Sequence, residues 1–271
     1  MPFYRWQEMK SDDFRDLDAE RTVAIAPLAA TEQHGPHLPT GTDAFIAEGL
    51  LGDTAGRLAP GVDVIALPVM AVGASLEHAA FAGTLDLSHA LFTAALERIG
   101  GSVAASGLKK LVFVSAHGGN VAAMTAAALT LRARHGMLAV HLTWNRFGYP
   151  DGVVDEAERV AGVHGGLVET ALMLRFRPDL VAMEAADRFP SLQSSLVAKN
   201  CHLRAYGPVG FGWLAGDLHP DGVVGNAAAA TAETGAAIAA HQSARFAELL
   251  HEVSRADLSE LLASGPLPRH L

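Results

Sequence analysis

Residues 29 to 44 bring Glu32, His34, His37 and Asp43 into one short stretch that also holds the turn formers Gly35-Pro36 and Pro39-Thr40-Gly41. Side chains alternate in direction along an extended chain, so Glu32 and His34 point to the same side. Turns at the two Gly/Pro clusters bring the chain back, and Asp43 then opens the element that follows. Carboxylate oxygens and imidazole nitrogens on one side of a loop form a donor set suited to divalent zinc, manganese or iron. The same residues also make an ordinary connection from strand to helix, with Asp or Thr as the helix cap, so the stretch alone leaves both readings open.

The surrounding elements decide what else can reach this loop. Arg21 to Ala29 is nearly all apolar and reads as a buried strand, the spacing of Ile46, Leu50, Leu51 and Leu58 predicts a helix over 45–58, and Val62 to Leu67 reads as a second strand. That completes a βαβ unit. A Gly-rich stretch containing Glu77-His78 and Gly83-Thr84 leads to a helix from Ser88 to about Ala105. Lys110 to Ser115 is a further strand that runs into His117-Gly118-Gly119-Asn120, followed by an Ala-rich helix over 121–134 and a strand over 138–143 that ends at Trp144. His164-Gly165-Gly166 then opens an apolar helix with Glu169 in its first turn. Alternation of strand and helix at these spacings predicts an α/β fold with a mainly parallel sheet.

Three segments are less regular or simpler. Residues 7–20 read as a short amphipathic helix. Residues 177–222, with Pro178, Pro190, Pro208 and Pro220, form an irregular region, a candidate lid or oligomer arm. Residues 223–253 read as one long Ala-rich helix whose small-residue face favours burial within the subunit over a contact between subunits.

At 271 residues, half of them apolar and 18% charged, the chain is expected to form a single α/β domain over 1–271. Its formal charge of −9 leaves no electrostatic footprint for nucleic acid or an anionic membrane. No apolar run is long enough for a spanning helix. The lone Cys201 excludes an intrachain disulfide, and the first residues lack the apolar core of a secretory signal, so a cytoplasmic location is expected.

In an open parallel sheet, ligands bind beyond the carboxyl ends of the strands. That rule gathers Glu32, His34 and Asp43 after the first strand, His117 after the strand at 110–115, and His164 with Glu169 at the mouth of a later helix. Each has a plainer reading: His117 as a strand-end histidine bonded to a carbonyl, Glu169 as a carboxylate at a helix N-terminus. Their convergence on one edge favours a shared site.

The segments Glu32-Gln33-His34-Gly35-Pro36-His37-Leu38-Pro39 with Asp43, Glu77-His78 with Gly83-Thr84, His117-Gly118-Gly119-Asn120, and His164-Gly165-Gly166 to Glu169-Thr170 resemble, in that order, the motifs of the creatininase family of metal-dependent amidohydrolases. The resemblance spans about residues 20 to 235. It implies an α/β three-layer sandwich with a mainly parallel central sheet, a homo-oligomer that is often a hexamer, and two divalent metal ions per subunit that serve hydrolysis of a non-peptide C–N bond in a small linear or cyclic amide. By position it implies that Glu32 and His117 bind one metal, His34 and Glu169 the other, and that Asp43 bridges them. His164 matches the family histidine that moves protons, while His37 falls outside the ligand set and supports the loop. Backbone N–H groups near Gly118 and Gly119 are then candidates for the oxyanion, and Trp144 and His78 for substrate contact.

The chain also departs from the family pattern. Some creatininases draw a metal-binding glutamate from the position of Gly119, and many relatives have proline where this chain has Ala82. An aromatic creatinine pocket is therefore not expected. Two rival readings stand beside the small-amide hydrolase: a metallopeptidase that trims a short peptide in cofactor maturation, and a metal-stabilised binding protein without turnover.

Overall fold

The computed structural model describes residues 3–267. Among these residues five strands, β1 (Phe3–Arg5), β2 (Val23–Leu28), β3 (Val64–Ala66), β4 (Lys110–Ser115) and β5 (Leu138–Thr143), form one sheet in the order β1-β3-β2-β4-β5. Every neighbouring pair in it is parallel. Helices α1 (Thr42–Ala55), α2 (Ser88–Ala105) and α3 (Val121–His135) are the crossovers between successive strands from β2 to β5. Later come α4 (Glu156–Ala161), α5 (Leu167–Phe176), α6 (Leu192–Lys199), α7 (Ala215–Leu218) and α8 (Ala232–Arg255). The expected α/β sandwich is thus present, and its central strands owe their near-continuous apolar runs to burial on both faces.

Alternation along β2 separates two cores. Val23 and Ile25 face a layer that includes Ile46 and Leu50 of α1, Leu172 and Met173 of α5, and Phe246 and Leu250 of α8. Ala24, Ala26 and Leu28 face the other layer, with Phe92 and Leu96 of α2 and Met124 and Leu131 of α3. The chain leaving β2 therefore turns to one face of the sheet, and the chain leaving the adjacent β4 turns to the opposite face. Between such divergent connections an open α/β sheet has its binding crevice.

Several boundaries differ from the sequence-based expectation. Residues 7–20 form two 3₁₀ segments, Trp6–Glu8 and Ser11–Asp16, in place of an amphipathic helix. Strand β1 precedes them and pairs with β3 through only three residues, too few to leave a period in the sequence. Helix α8 starts at Ala232, not at 223, and is capped by Thr231, whose hydroxyl accepts the Thr234 N–H at 3.1 Å. The residues before it are held by other contacts instead: Val223 is fully buried, the Val224 N–H donates to the His164 carbonyl at 2.8 Å, and Gly225–Asn226 pairs with Arg188–Phe189. The 177–222 region contains α6 and α7, and it exposes Val197, Leu203, Val209, Phe211 and Leu214. Among the described residues no helix is long and apolar enough to cross a membrane.

Helix α8 packs within the subunit, as its small residues allow. At Gly235 it crosses α5 so closely that a Cβ would overlap the Ala171 carbonyl group. In an open helix, replacing glycine by alanine stabilises by up to about 1 kcal/mol, whereas overpacking a tight contact costs about 1–3 kcal/mol. Gly235→Ala is therefore expected to lower unfolding free energy in a denaturant titration; a gain in stability would mean that the crossing is loose.

Candidate metal centre

The loop after β2 turns back on itself, with His34 and Leu38 in an antiparallel bridge and the Glu32 N–H donating to the Thr40 carbonyl at 3.0 Å. This hairpin aims Glu32 and His34 inward and delivers Asp43 in the first turn of α1. His117 enters from the end of β4. Glu169 enters from the first turn of α5, which places it beside the positive end of that helix.

Asp43 stands at the middle. Its Oδ1 lies 3.2 Å from His34 Nε2, and its Oδ2 lies 3.6 Å from His117 Nδ1. On the first side, His34 Nε2 is also 3.7 Å from Glu169 Oε2. On the second side, His117 Nδ1 is 3.0 Å from Glu32 Oε1. Two donor triads share Asp43, Glu32–Asp43–His117 and His34–Asp43–Glu169, and a third, Glu32–His34–His164, lies beside them, each with ligand atoms within 4.8 Å of one another. The five residues expected to converge do converge.

Burial makes the cluster costly unless something positive sits in it. Glu32, His34, Asp43 and His117 are all buried, and Glu32 Oε1 and Oε2, His34 Nε2 and Asp43 Oδ2 have no hydrogen-bond partner among the described residues. Buried polar atoms are otherwise almost always paired. Carboxylate oxygens and imidazole nitrogens, unpaired and converging, fit a divalent cation on donor chemistry as well as on geometry.

The same crowding shifts the titrations. Burial pushes the Glu32 carboxyl up, but the charge of His117 outweighs it and holds Glu32 far below the usual carboxylate range. Burial opposes charge on His34, yet Asp43 and then Glu169 carry it up to about 9. His117 is likewise opposed by burial and is raised to about 10 by Glu32, Asp43 and Glu77. Glu169 is raised to about 7 by burial and by Asp43, against the pull of His34. Burial, with His34 and His78 nearby, drives His164 well below the ordinary imidazole value.

The outer atoms of the rings are held by backbone. His34 Nδ1 donates to the Glu32 carbonyl at 3.0 Å, and His117 Nε2 to the Ala74 carbonyl at 2.9 Å. Such bonds fix each ring so that its inner nitrogen faces the cluster. Asn120, fully buried, ties three segments together: its amide donates to the Ala29 carbonyl and to Ser115 Oγ, both at 3.1 Å, and accepts the Ala74 N–H at 3.0 Å. His37 lies outside the triads, with Nε2 bonded to Thr170 Oγ1 at 2.9 Å, beside Glu169.

His164 and His78 also reach the cluster, with His164 Nδ1 at 3.7 Å and His78 Nε2 at 3.5 Å from Glu32 Oε1. Gly118 and Gly119 form the 3₁₀ turn beyond His117. A Cβ at Gly119 would overlap Glu77 Oε1, His117 Nε2 and the Ala74 carbonyl, so this backbone has no room for a glutamate there. Trp144 does not join the site. It is 3% exposed, meets Phe246 edge-on with centroids 4.7 Å apart, and belongs to the core on the α8 side. The strand end that suggests a substrate platform turns this side chain inward.

Sequence patterns do not flag two buried groups. Glu158 accepts the Leu167 and Asn226 N–H groups at 2.7 and 2.8 Å and so anchors the start of α5. Gln33, between two candidate ligands, bonds to His78 and to distant backbone. Neither has a spacing signal, because Asn226 for Glu158, and His78 and Gly222 for Gln33, are far away in the chain.

The creatininase family model, described as creatinine amidohydrolase, matches residues 7–250. A mycofactocin precursor peptide peptidase of Mycobacterium ulcerans is 34% identical over 248 residues, which cover 85% of this chain and 83% of that protein. The protein of the same name from Mycolicibacterium smegmatis is 34% identical over 167 residues, so that the match spans 61% of this chain and 62% of the relative's length. A solved structure of the manganese form of a creatininase superposes with a TM-score of 0.75 at 21% identity, covering 93% of this chain and 99% of that one.

At pH 7 the inner nitrogens of His34 and His117 hold protons, since 7 lies below both 9 and 10. A cation needs those same lone pairs, so metal binding should release about two protons per subunit and weaken as pH falls. Calorimetric titration of metal-free protein with zinc in buffers of different ionisation enthalpy measures this release. Binding without proton release would mean that neither histidine is a ligand.

Proposed function

The chain belongs to the creatininase family, and from that footing we propose that it is a metal-dependent hydrolase that cleaves an amide C–N bond in a peptide. The observation that carries the hydrolase reading is the buried Asp43, whose two oxygens face separate donor triads. Two divalent ions, zinc, manganese or iron, are the proposed cofactors. Glu32 and His117 would hold one, His34 and Glu169 the other, with Asp43 shared. When bound, such a pair supplies a water acidified enough to attack at neutral pH and a positive charge for the carbonyl oxygen.

The residues do the rest. His164 donates from Nε2 to the Gln33 carbonyl at 2.8 Å, which leaves Nδ1 as the acceptor facing the cluster. Held neutral by burial, it is suited to accept the proton of the attacking water and return it to the departing nitrogen. The N–H groups of Gly118 and Gly119 open a short helical turn that does not itself use them, and they are assigned to the developing oxyanion.

The peptide assignment is supported by the peptidase names of relatives at 34% identity. It is also supported by Trp144 lying in the core and by the space beside Gly118, where a Cβ would meet nothing within 4 Å. A second reading, a small cyclic amide, is favoured by the depth of the site, since Glu32, His34, Asp43 and His117 are all buried. A homo-oligomer is part of the proposal. The exposed apolar side chains between Val197 and Leu214 support it.

Removing an outer-shell partner typically costs 10–100-fold in metal affinity or activity, and removing a shared ligand should exceed that. Asp43→Asn is accordingly expected to lose both metals and to drop activity by more than about 100-fold; a variant that keeps two ions per subunit would remove the bridging role. On a panel of short peptides, lactams and creatinine, metal-loaded wild type is expected to cleave peptides. Cleavage confined to the cyclic amides would select the second reading.

A further inference from the structure

Among the described residues four histidine rings face the cluster, and one is wired in the opposite sense. His34, His117 and His164 each give their outer nitrogen to a backbone carbonyl, at 3.0, 2.9 and 2.8 Å. A carbonyl only accepts, so in the neutral ring the hydrogen sits outside and a lone pair faces inward. The outer Nδ1 of His78 instead lies 2.9 Å from Gln33 Nε2, which is a donor. Its hydrogen is therefore on the inner Nε2.

The orientation of the Gln33 amide is over-determined. Its Oε1 accepts the Gly35 N–H at 2.9 Å, and its Nε2 donates to the Gly222 carbonyl at 2.6 Å. Turning the amide over would set acceptor against acceptor at Gly222 and donor against donor at Gly35. Gly222, at φ +72°, has no room for a Cβ against Gln33 and Phe81, so the close approach is part of the backbone design. Gln33 and His78 are both buried, with no water-facing alternative for either group.

We propose that Gln33 is a positioning residue that makes His78 the one ring among these four histidines whose inner nitrogen carries the hydrogen when the ring is neutral, and that His78 Nε2–H joins the Gly118 and Gly119 N–H groups in binding the amide oxygen as it gains charge. This rests on the hydrolase reading above. His78 then holds no metal, since its inner nitrogen has no free lone pair. Gln33 acts through that ring: it decides which nitrogen carries the hydrogen.

The test uses nitrogen NMR of selectively ¹⁵N-histidine-labelled protein, with His78 assigned by its loss in His78→Gln, alongside kinetics of the metal-loaded enzyme. Wild type should show His78 with hydrogen on Nε2. Removal of one oxyanion donor costs about 10²–10³ in kcat, and His78→Leu should lose that much with metal content and KM little changed. His78→Gln, whose amide N–H reaches the place of Nε2, should recover most of the rate. Gln33→Glu offers only acceptors, so it should move the hydrogen to Nδ1 and lower kcat while both metals remain. An active wild type with hydrogen on Nδ1 of His78, a His78→Leu variant with full kcat, or one that loses metal would each overturn the role of His78 alone. A wild type that binds no metal or cleaves no amide overturns the hydrolase reading and this role with it.

Discussion

Three carboxylates, Glu32, Asp43 and Glu169, meet two imidazoles in a volume from which water is largely excluded. Like charges so close and so dry repel strongly, and each buried oxygen without a partner adds its own desolvation cost. Only protons or cations relieve this, and the raised His34 and His117 are the protonic solution to the same electrostatic problem. Much of the surrounding structure is a means of holding that unfavourable arrangement in place. Asn120 clamps the ends of β2 and β4 to the Ala74 loop, Glu158 anchors the start of α5, and backbone carbonyls fix the rings.

The sheet topology explains why the cluster forms here. β2 and β4 are neighbours whose outgoing chains part to opposite faces, which opens a crevice at their carboxyl ends. Donors placed just after either strand point into it with no long excursion of the chain. The helix N-terminus of α5 closes the far side and adds a positive potential next to Glu169. Energy stored in the two apolar cores thus holds the charged centre at their shared edge.

Much of this is legible in the sequence. The strands from β2 to β5 and the helices α1 to α3 announce themselves by apolar runs or by helical spacing, and the five donors by their position just after strands or at a helix start. What is not legible has a common cause in contacts between distant segments. A strand as short as β1 has no period of its own and exists because β3 offers an edge. Residues 223–231 look helical by composition, but Val223 is claimed by the packing beneath Gly35 and Gly165. Trp144 follows the end of a strand, where a side chain facing the site is expected, and turns instead into the core against Phe246. The hydrogen on each histidine ring depends on whether a carbonyl from Ala74 or an amide from Gln33 stands behind it, which no local pattern records.

On the proposed reading Asp43 is shared by two cations, one on each side. Anomalous diffraction at the metal absorption edge, from crystals of the metal-loaded wild-type protein, tests it most directly. Two peaks flanking Asp43 are expected, one contacted by Glu32 and His117 and the other by His34 and Glu169. A single peak, or peaks that do not touch Asp43, would contradict it.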